Sequence, residues 1–411
     1  MARVRHASCA LALSLASGCA DGVSVGSMPL APERTAPSTT PSQGITTPNN
    51  LGGGAGQNGS FNEPHEFVLD LATGASHACV RTFEGYVHCW GSNEYGQLGR
   101  TPSEFESIPS VAGHGALALH LFAGPTQTAV LDKSRQLGHW GLYAPRNDDG
   151  VTPWSQHDTP GVGPLAGVAF GERFALAWDS RGELIAWGAP DGASLTTAFL
   201  IKPVRVHLGF PIAHAAVWSR DGEGHGCIVV PWGLVGCWGL NDRSQLGPPG
   251  SDLGILHVPP VDHVASVSLG DRFTCALRSD SKALCWGANN VGQLGDTTTR
   301  DHGTPSLVAV PMEVYGIATG AHHACALSRD GGVWCWGAND RGQLGDGSLE
   351  LFSATPRRVQ GLPKSTSVAT GDDFTCARTE DGRAWCWGNN SLGQLGDGTQ
   401  VTRAEPRPIL L

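Results

Sequence analysis

The sequence predicts an all-β protein: a seven-bladed β-propeller with four-stranded blades of about 50 residues, behind a disordered N-terminal tether. Three observations predict it. Gly (57) and Pro (27) make up about a fifth of the 411 residues, while only 16% are charged. Such a turn-rich composition argues against coiled coils and helical repeats. Trp-Gly occurs seven times, at Trp90, Trp140, Trp187, Trp238, Trp286, Trp336 and Trp387, with spacings of 50, 47, 51, 48, 50 and 51 residues. Sixteen residues before each tryptophan stands a glycine: Gly74, Gly124, Gly171, Gly222, Gly270, Gly320 and Gly371. A fixed period near 50 with strand-like content signals one propeller blade per repeat. Seven such periods fill residues 65–411.

At the N-terminus, Arg3 and Arg5 precede an apolar stretch, Ala7 to Ala16, that is too short to span a membrane. Ala16-Ser17-Gly18-Cys19 then reads as a cleavage site, so residues 1–18 are expected to be a signal peptide. The small residues before Cys19 are similar to a bacterial lipobox, although Leu15 lies one position further upstream than that pattern prefers. Cys19 is the expected lipidation site, with ordinary secretory cleavage as the alternative. Loss of Arg3 and Arg5 takes the formal net charge from −10 to −12. Residues 19–64, rich in Pro, Ser, Thr, Gly and Asn, cannot bury a core and read as a linker. The acidic balance, with no run of Lys or Arg, argues against a nucleic-acid partner.

Within the repeats, Ile317 to Gly347 is among the best-kept copies. One strand is expected through His323–Ser328 and the next from Gly332 to Trp336, joined by Arg329-Asp330-Gly331. A type I turn ending in a left-handed glycine suits this composition. Phe83-Glu84-Gly85 and Glu380-Asp381-Gly382 are equivalent loops. In Ser279-Asp280-Ser281 the glycine is missing, so that loop is either strained or differently closed.

Ten cysteines fall into pairs ten residues apart: Cys79/Cys89, Cys227/Cys237, Cys275/Cys285, Cys325/Cys335 and Cys376/Cys386. The hairpin register sets each pair directly opposite at a non-hydrogen-bonded site, with Cα atoms about 4.5 Å apart. The other two blades carry Ala129/His139 and Leu176/Ala186 at these positions, so the cysteines come and go in pairs. Five disulfides are expected rather than buried thiols or zinc ligands, and they imply an oxidising compartment.

Cys335-Trp336-Gly337-Ala338-Asn339-Asp340-Arg341-Gly342-Gln343-Leu344-Gly345 resembles the motif of the regulator of chromosome condensation repeat family. Gly-Gln-Leu-Gly recurs at 96–99, 292–295 and 393–396, with Ser244-Gln245-Leu246-Gly247 in the fourth copy. The resemblance covers about 350 residues and implies the same propeller. Its nuclear members imply a reducing compartment and a basic tail, which this composition does not show. Its secreted bacterial members imply extracytoplasmic protein binding.

Residues that recur in every blade solve a packing problem, so the motif tryptophans, their glycines and the Gly-Gln-Leu-Gly loops are assigned to the contacts between blades. His322-His323 reads as structural. Function is expected where the repeat breaks. Tyr143 and Trp154 stand in the longest departure, and Trp232 occupies a hairpin tip that is polar in the other copies. These three are the partner-binding candidates, against plain drift in degenerate repeats. No catalytic residue, metal site or cofactor is expected.

The leading expectation is a monomeric, non-enzymatic protein, anchored by lipid to the bacterial outer membrane or cell surface or else secreted. It would bind a protein, or a glycan, through loops of one face. The alternatives are a polysaccharide-acting enzyme and a structural envelope component. The last segment, Glu405 to Leu411, is expected to complete the first blade beside Phe67 to Leu71.

Overall fold

In a computed structural model the residues described are 66–112, 118–142, 155–156, 164–188, 200–249, 252–253, 256–348 and 350–411. The expected signal peptide, Cys19 and the whole of the expected linker lie outside them. The expected all-β fold is present: seven sheets, each an antiparallel meander built from one repeat. Blade one runs Val68–Thr73, His77–Thr82, Val87–Asn93 and Ser103–Val111. Six sheets are four-stranded among the described residues, and that of blade four gains a fifth, two-residue strand, Asp252–Leu253.

The first strand of each blade packs against that of the next, from Val68–Thr73 through Ser365–Thr370 and back again, so these strands line the axis of a closed ring. Second strands are sandwiched between neighbouring sheets. Phe374–Thr379 is accordingly buried at nearly every position, without alternating apolar and polar residues. Each blade interface holds its own apolar cluster, such as Phe273, Cys275, Leu294 and Trp336 between blades five and six.

Because consecutive turns of a meander lie at opposite ends, the ring has two distinct faces. The hairpins between second and third strands and the connectors between blades form one, here the hairpin face. The Gly-Gln-Leu-Gly loops and the first turn of each blade form the other, the loop face.

The expected hairpin register holds. Leu327 pairs with Val333 and Cys325 with Cys335, and Gly331 closes the loop at φ 80°. Ser281 adopts φ 63° with the same closing hydrogen bond, from its N–H to the Arg278 carbonyl. Of the two expectations for that loop, strain is the one realised.

All five disulfides are present: Cys79–Cys89 in blade one, Cys227–Cys237 in blade four, Cys275–Cys285 in blade five, Cys325–Cys335 in blade six and Cys376–Cys386 in blade seven. In each, the first cysteine lies on the second strand and the other directly opposite it on the third. The Cα atoms are 4.1 Å apart in every pair, closer than the spacing expected of an unbridged pair at such a site. A covalent bridge between directly opposed side chains draws the two strands together there. All ten bridged cysteines, Cys89, Cys285 and Cys386 of the third strands included, are fully buried. In the two other blades Ala129 faces His139 and Leu176 faces Ala186.

Two further expectations are corrected. The terminal strand, Arg403–Pro408, pairs with Ala384–Gly388 and so finishes blade seven, not blade one. Each blade is contiguous in sequence, and a strand that follows the loop motif returns to the sheet it has just left. The ring is closed instead between blades: the Val68 N–H donates to the Gly382 carbonyl at 2.8 Å, and the Trp90 indole to the Gln394 carbonyl at 2.9 Å. Gly222 also differs from the six glycines it was grouped with. It sits at φ 81° beside Asp221 at φ 54°, with no atom within 4 Å of a Cβ built on it. These two residues form the turn of a hairpin in which Arg220 pairs with Glu223.

Candidate functional site

Trp232 stands at the tip of the hairpin joining Glu223–Val229 to Val235–Gly239 on the hairpin face. The tip is tightly held. Gly233 takes φ 85° and donates to the Val230 carbonyl at 2.8 Å, while its own carbonyl accepts from Val264 of blade five at 3.0 Å. The Cys227–Cys237 bridge staples the strands beneath. With the backbone fixed between two blades, the indole remains 58% exposed and Leu234 beside it 45%. Tips at the same position elsewhere carry Glu84, Ser134, Arg181, Asp280, Asp330 and Asp381.

Clefts lie on this face in the blades to either side. In blade five, Asp280–Ala283 and the connector Leu307–Val314 enclose about 360 Å³, with Pro311 and Met312 in the wall. In blade three, Arg181–Leu184 and Arg205–Pro211 enclose about 340 Å³. An exposed aromatic on a rigid support between two concavities is the arrangement of a protein-binding hot spot, because little order has to be imposed on it when it docks. Tyr143 and Trp154 lie outside the described residues, so the structure places Trp232 without its two expected companions.

The loop face holds features that sequence reasoning missed. Backbone hydrogen bonds pass from blade to blade around the channel: Asp271 to the Ala321 carbonyl, Ala321 to Asp372, Asp372 to Ala75 and Ala75 to Pro125, at 2.8–3.3 Å. Through blades two to four the belt continues in side chains. Gln127 Nε2 donates to the Glu172 carbonyl, and the Glu172 N–H to Ser219 Oγ, both at 2.7 Å. There the Asp221-Gly222 hairpin projects across the mouth. Arg220 meets Asp372 of blade seven, and Arg272 of blade five holds Glu223 at 2.7 Å. The sequence signal was Asp-Gly between two strand-like runs, obscured because Gly222 also fits the regular spacing.

Of the His322-His323 pair, His323 is structural, as expected, while His322 is exposed. His323 is fully buried with Nε2 2.9 Å from Thr375 Oγ1, and His77 and His225 contact Thr128 and Thr274 in the same way.

Profiles of the regulator of chromosome condensation (RCC1) repeat match residues 84–131, 280–327, 330–378 and 381–411, and a second form of the repeat matches 68–97, 264–293, 314–343 and 366–394. The chain belongs to the regulator of chromosome condensation repeat family. It is 27% identical over 345 residues to the ultraviolet-B receptor UVR8 of Arabidopsis thaliana, covering 83% of this chain and 58% of the receptor. It is 28% identical over 363 residues to the E3 ubiquitin-protein ligase HERC2 of Homo sapiens, covering 82% of this chain and 6% of the ligase. The chain thus spans less than two thirds of these relatives. Among solved structures, human WBSCR16 superimposes with a TM-score of 0.67 at 19% identity, over 77% of this chain and 88% of that one. Prp20p of Saccharomyces cerevisiae, whose structure is described together with its binding to Gsp1p and histones, gives 0.52 at 21% identity over 84% and 77%. These two likenesses establish the fold alone.

Proposed function

We propose that this protein is an extracytoplasmic, lipid-anchored binding platform that docks another protein on its hairpin face, with Trp232 as the central anchor. The observation that carries the reading is the exposed indole on a stapled hairpin between two clefts. Protein binding also fits the family, in which Prp20p binds Gsp1p and histones. Five disulfides favour an oxidising compartment, because cytosolic thiols are kept reduced. Anchoring through Cys19 would leave residues 20–64 as a tether. The ring contributes presentation rather than chemistry: its loops are ordered before a partner arrives, so binding forfeits little conformational entropy.

The test is crosslinking of the full-length protein on intact cells, followed by affinity measurement with the partner recovered. Trp232→Ala is expected to weaken binding roughly 30-fold or more, as for a hot-spot aromatic of about 2 kcal/mol. Unchanged affinity with an unchanged melting temperature would remove Trp232 from the site.

A further inference from the structure

The Asp221-Gly222 hairpin reaches beyond its own blade and its neighbours. Arg220 belongs to blade four, yet its guanidinium meets the carboxylate of Asp372 in blade seven. The innermost strand of blade four packs against those of blades three and five, not against that of blade seven. The ion pair therefore crosses the loop-face mouth of the ring.

Its two ends are held very differently. Asp372 is a fixed point: its N–H donates to the Ala75 carbonyl at 3.0 Å, its carbonyl accepts from the Ala321 N–H at 3.1 Å, and its side chain is only 19% exposed. The base of the hairpin is fixed too, because the buried Ser219 accepts from the Glu172 N–H at 2.7 Å. Beyond Ser219 the support ends. Arg220, Asp221, Gly222 and Glu223 are all exposed, and a Cβ built on Gly222 would meet no atom within 4 Å. Among the described residues, the tip is tied to other blades by charge: Arg220 to Asp372, and Glu223 to Arg272 at 2.7 Å, an arginine that Glu223 shares with Asp242. The turn itself is preformed, with Asp221 at φ 54° and Gly222 at φ 81° and Arg220 paired with Glu223 across it.

Exposed ion pairs contribute little to stability, and salt screens them. A preformed hairpin held down by such pairs, on a rigid base and without packing at its tip, has a lowered and a lifted position close in free energy. We propose that the blade-four hairpin is a salt-sensitive lid over the loop-face mouth, latched by Arg220 on Asp372. Releasing the latch frees the Asp372 carboxylate, so cations that compete with Arg220 for it open the lid. The lid lies on the face opposite Trp232 and stands apart from the docking reading.

Hydrogen–deuterium exchange of the full-length, disulfide-intact protein tests it, followed on the peptide that spans residues 218–225 at low and high sodium chloride. Rates are compared with those of the exposed turn at Gln360-Gly361, which corrects for any general effect of salt. In the parent, exchange of the hairpin is expected to quicken roughly threefold at high salt, the scale of exposed ion pairs. Asp372→Asn keeps the side-chain shape and both backbone hydrogen bonds. It is expected to exchange at the faster rate already at low salt, with the parent's melting temperature. A parent hairpin whose exchange does not respond to salt overturns the proposal without any variant. So does an Asp372→Asn protein that melts several degrees lower while its hairpin exchanges as slowly as the parent's, because the ion pair would then be a fixed brace.

Discussion

At the scale of the residue, three histidines show how the blades are joined. Thr128, Thr274 and Thr375 each donate their single hydroxyl proton to the carbonyl of Gln97, Gln245 or Gln343 at 2.9–3.0 Å. Each threonine oxygen therefore accepts from the histidine beside it, so His77, His225 and His323 carry their proton on Nε2. Burial lowers these histidines to about 4, 3 and 3. The folded ring keeps them neutral while the unfolded chain takes up protons below about 6.5. Stability is therefore present at neutral pH and is lost as pH falls from about 6.5 toward 4, by roughly 1.4 kcal/mol per pH unit for each histidine. His225→Phe is expected to flatten this acid decline by one histidine's share, since Phe273 and Phe374 already occupy the position in other blades. Melting curves between pH 4 and 7 check it, and a decline as steep as the parent's would contradict the assignment. The sequence allowed this role to be read for His323, but not the threonine partners, which stand about 50 residues away.

At the scale of the element, the Gly-Gln-Leu-Gly loop is the joint between blades. Its glutamine carbonyl accepts the next blade's indole N–H at 2.9 Å, and its leucine is buried in the same interface. The last glycine is required twice over. Gly345 has φ 67°, and a Cβ there would lie 2.6 Å from Trp387 Nε1. Gly345→Ala is expected to cost roughly 1–3 kcal/mol and to lower the melting temperature by several degrees. Gly361→Ala is a matched control, with φ 70° but open space around the added carbon. Equal losses in the two variants would mean that the indole contact contributes nothing. The packing role of these loops was legible because identical residues recur around the ring. The longer blade-four hairpin was not, because Gly222 satisfies the spacing rule while turning a different corner.

At the scale of the whole molecule, period, blade number, hairpin register and disulfide pairing were all readable, since each follows from local spacing. Ring closure was not. Sequence likeness identified Arg403–Pro408 as an outer strand, but which sheet it joins depends on connectivity, and each meander closes on itself. Likewise Trp232 could be singled out as an aromatic at a polar tip, whereas each cleft beside it exists only once a hairpin folds against the connector that leaves the same blade more than 20 residues later.

The account rests on an oxidised, stapled ring displayed outside the cytoplasm, and the intact mass of the native protein tests this most directly. The protein would be extracted from membranes and alkylated with and without prior reduction. The predicted result is a chain beginning at a lipidated Cys19, in which the ten ring cysteines take up alkyl groups only after reduction. An unprocessed chain whose ring cysteines alkylate without reduction would contradict it, and would place the protein in a reducing compartment.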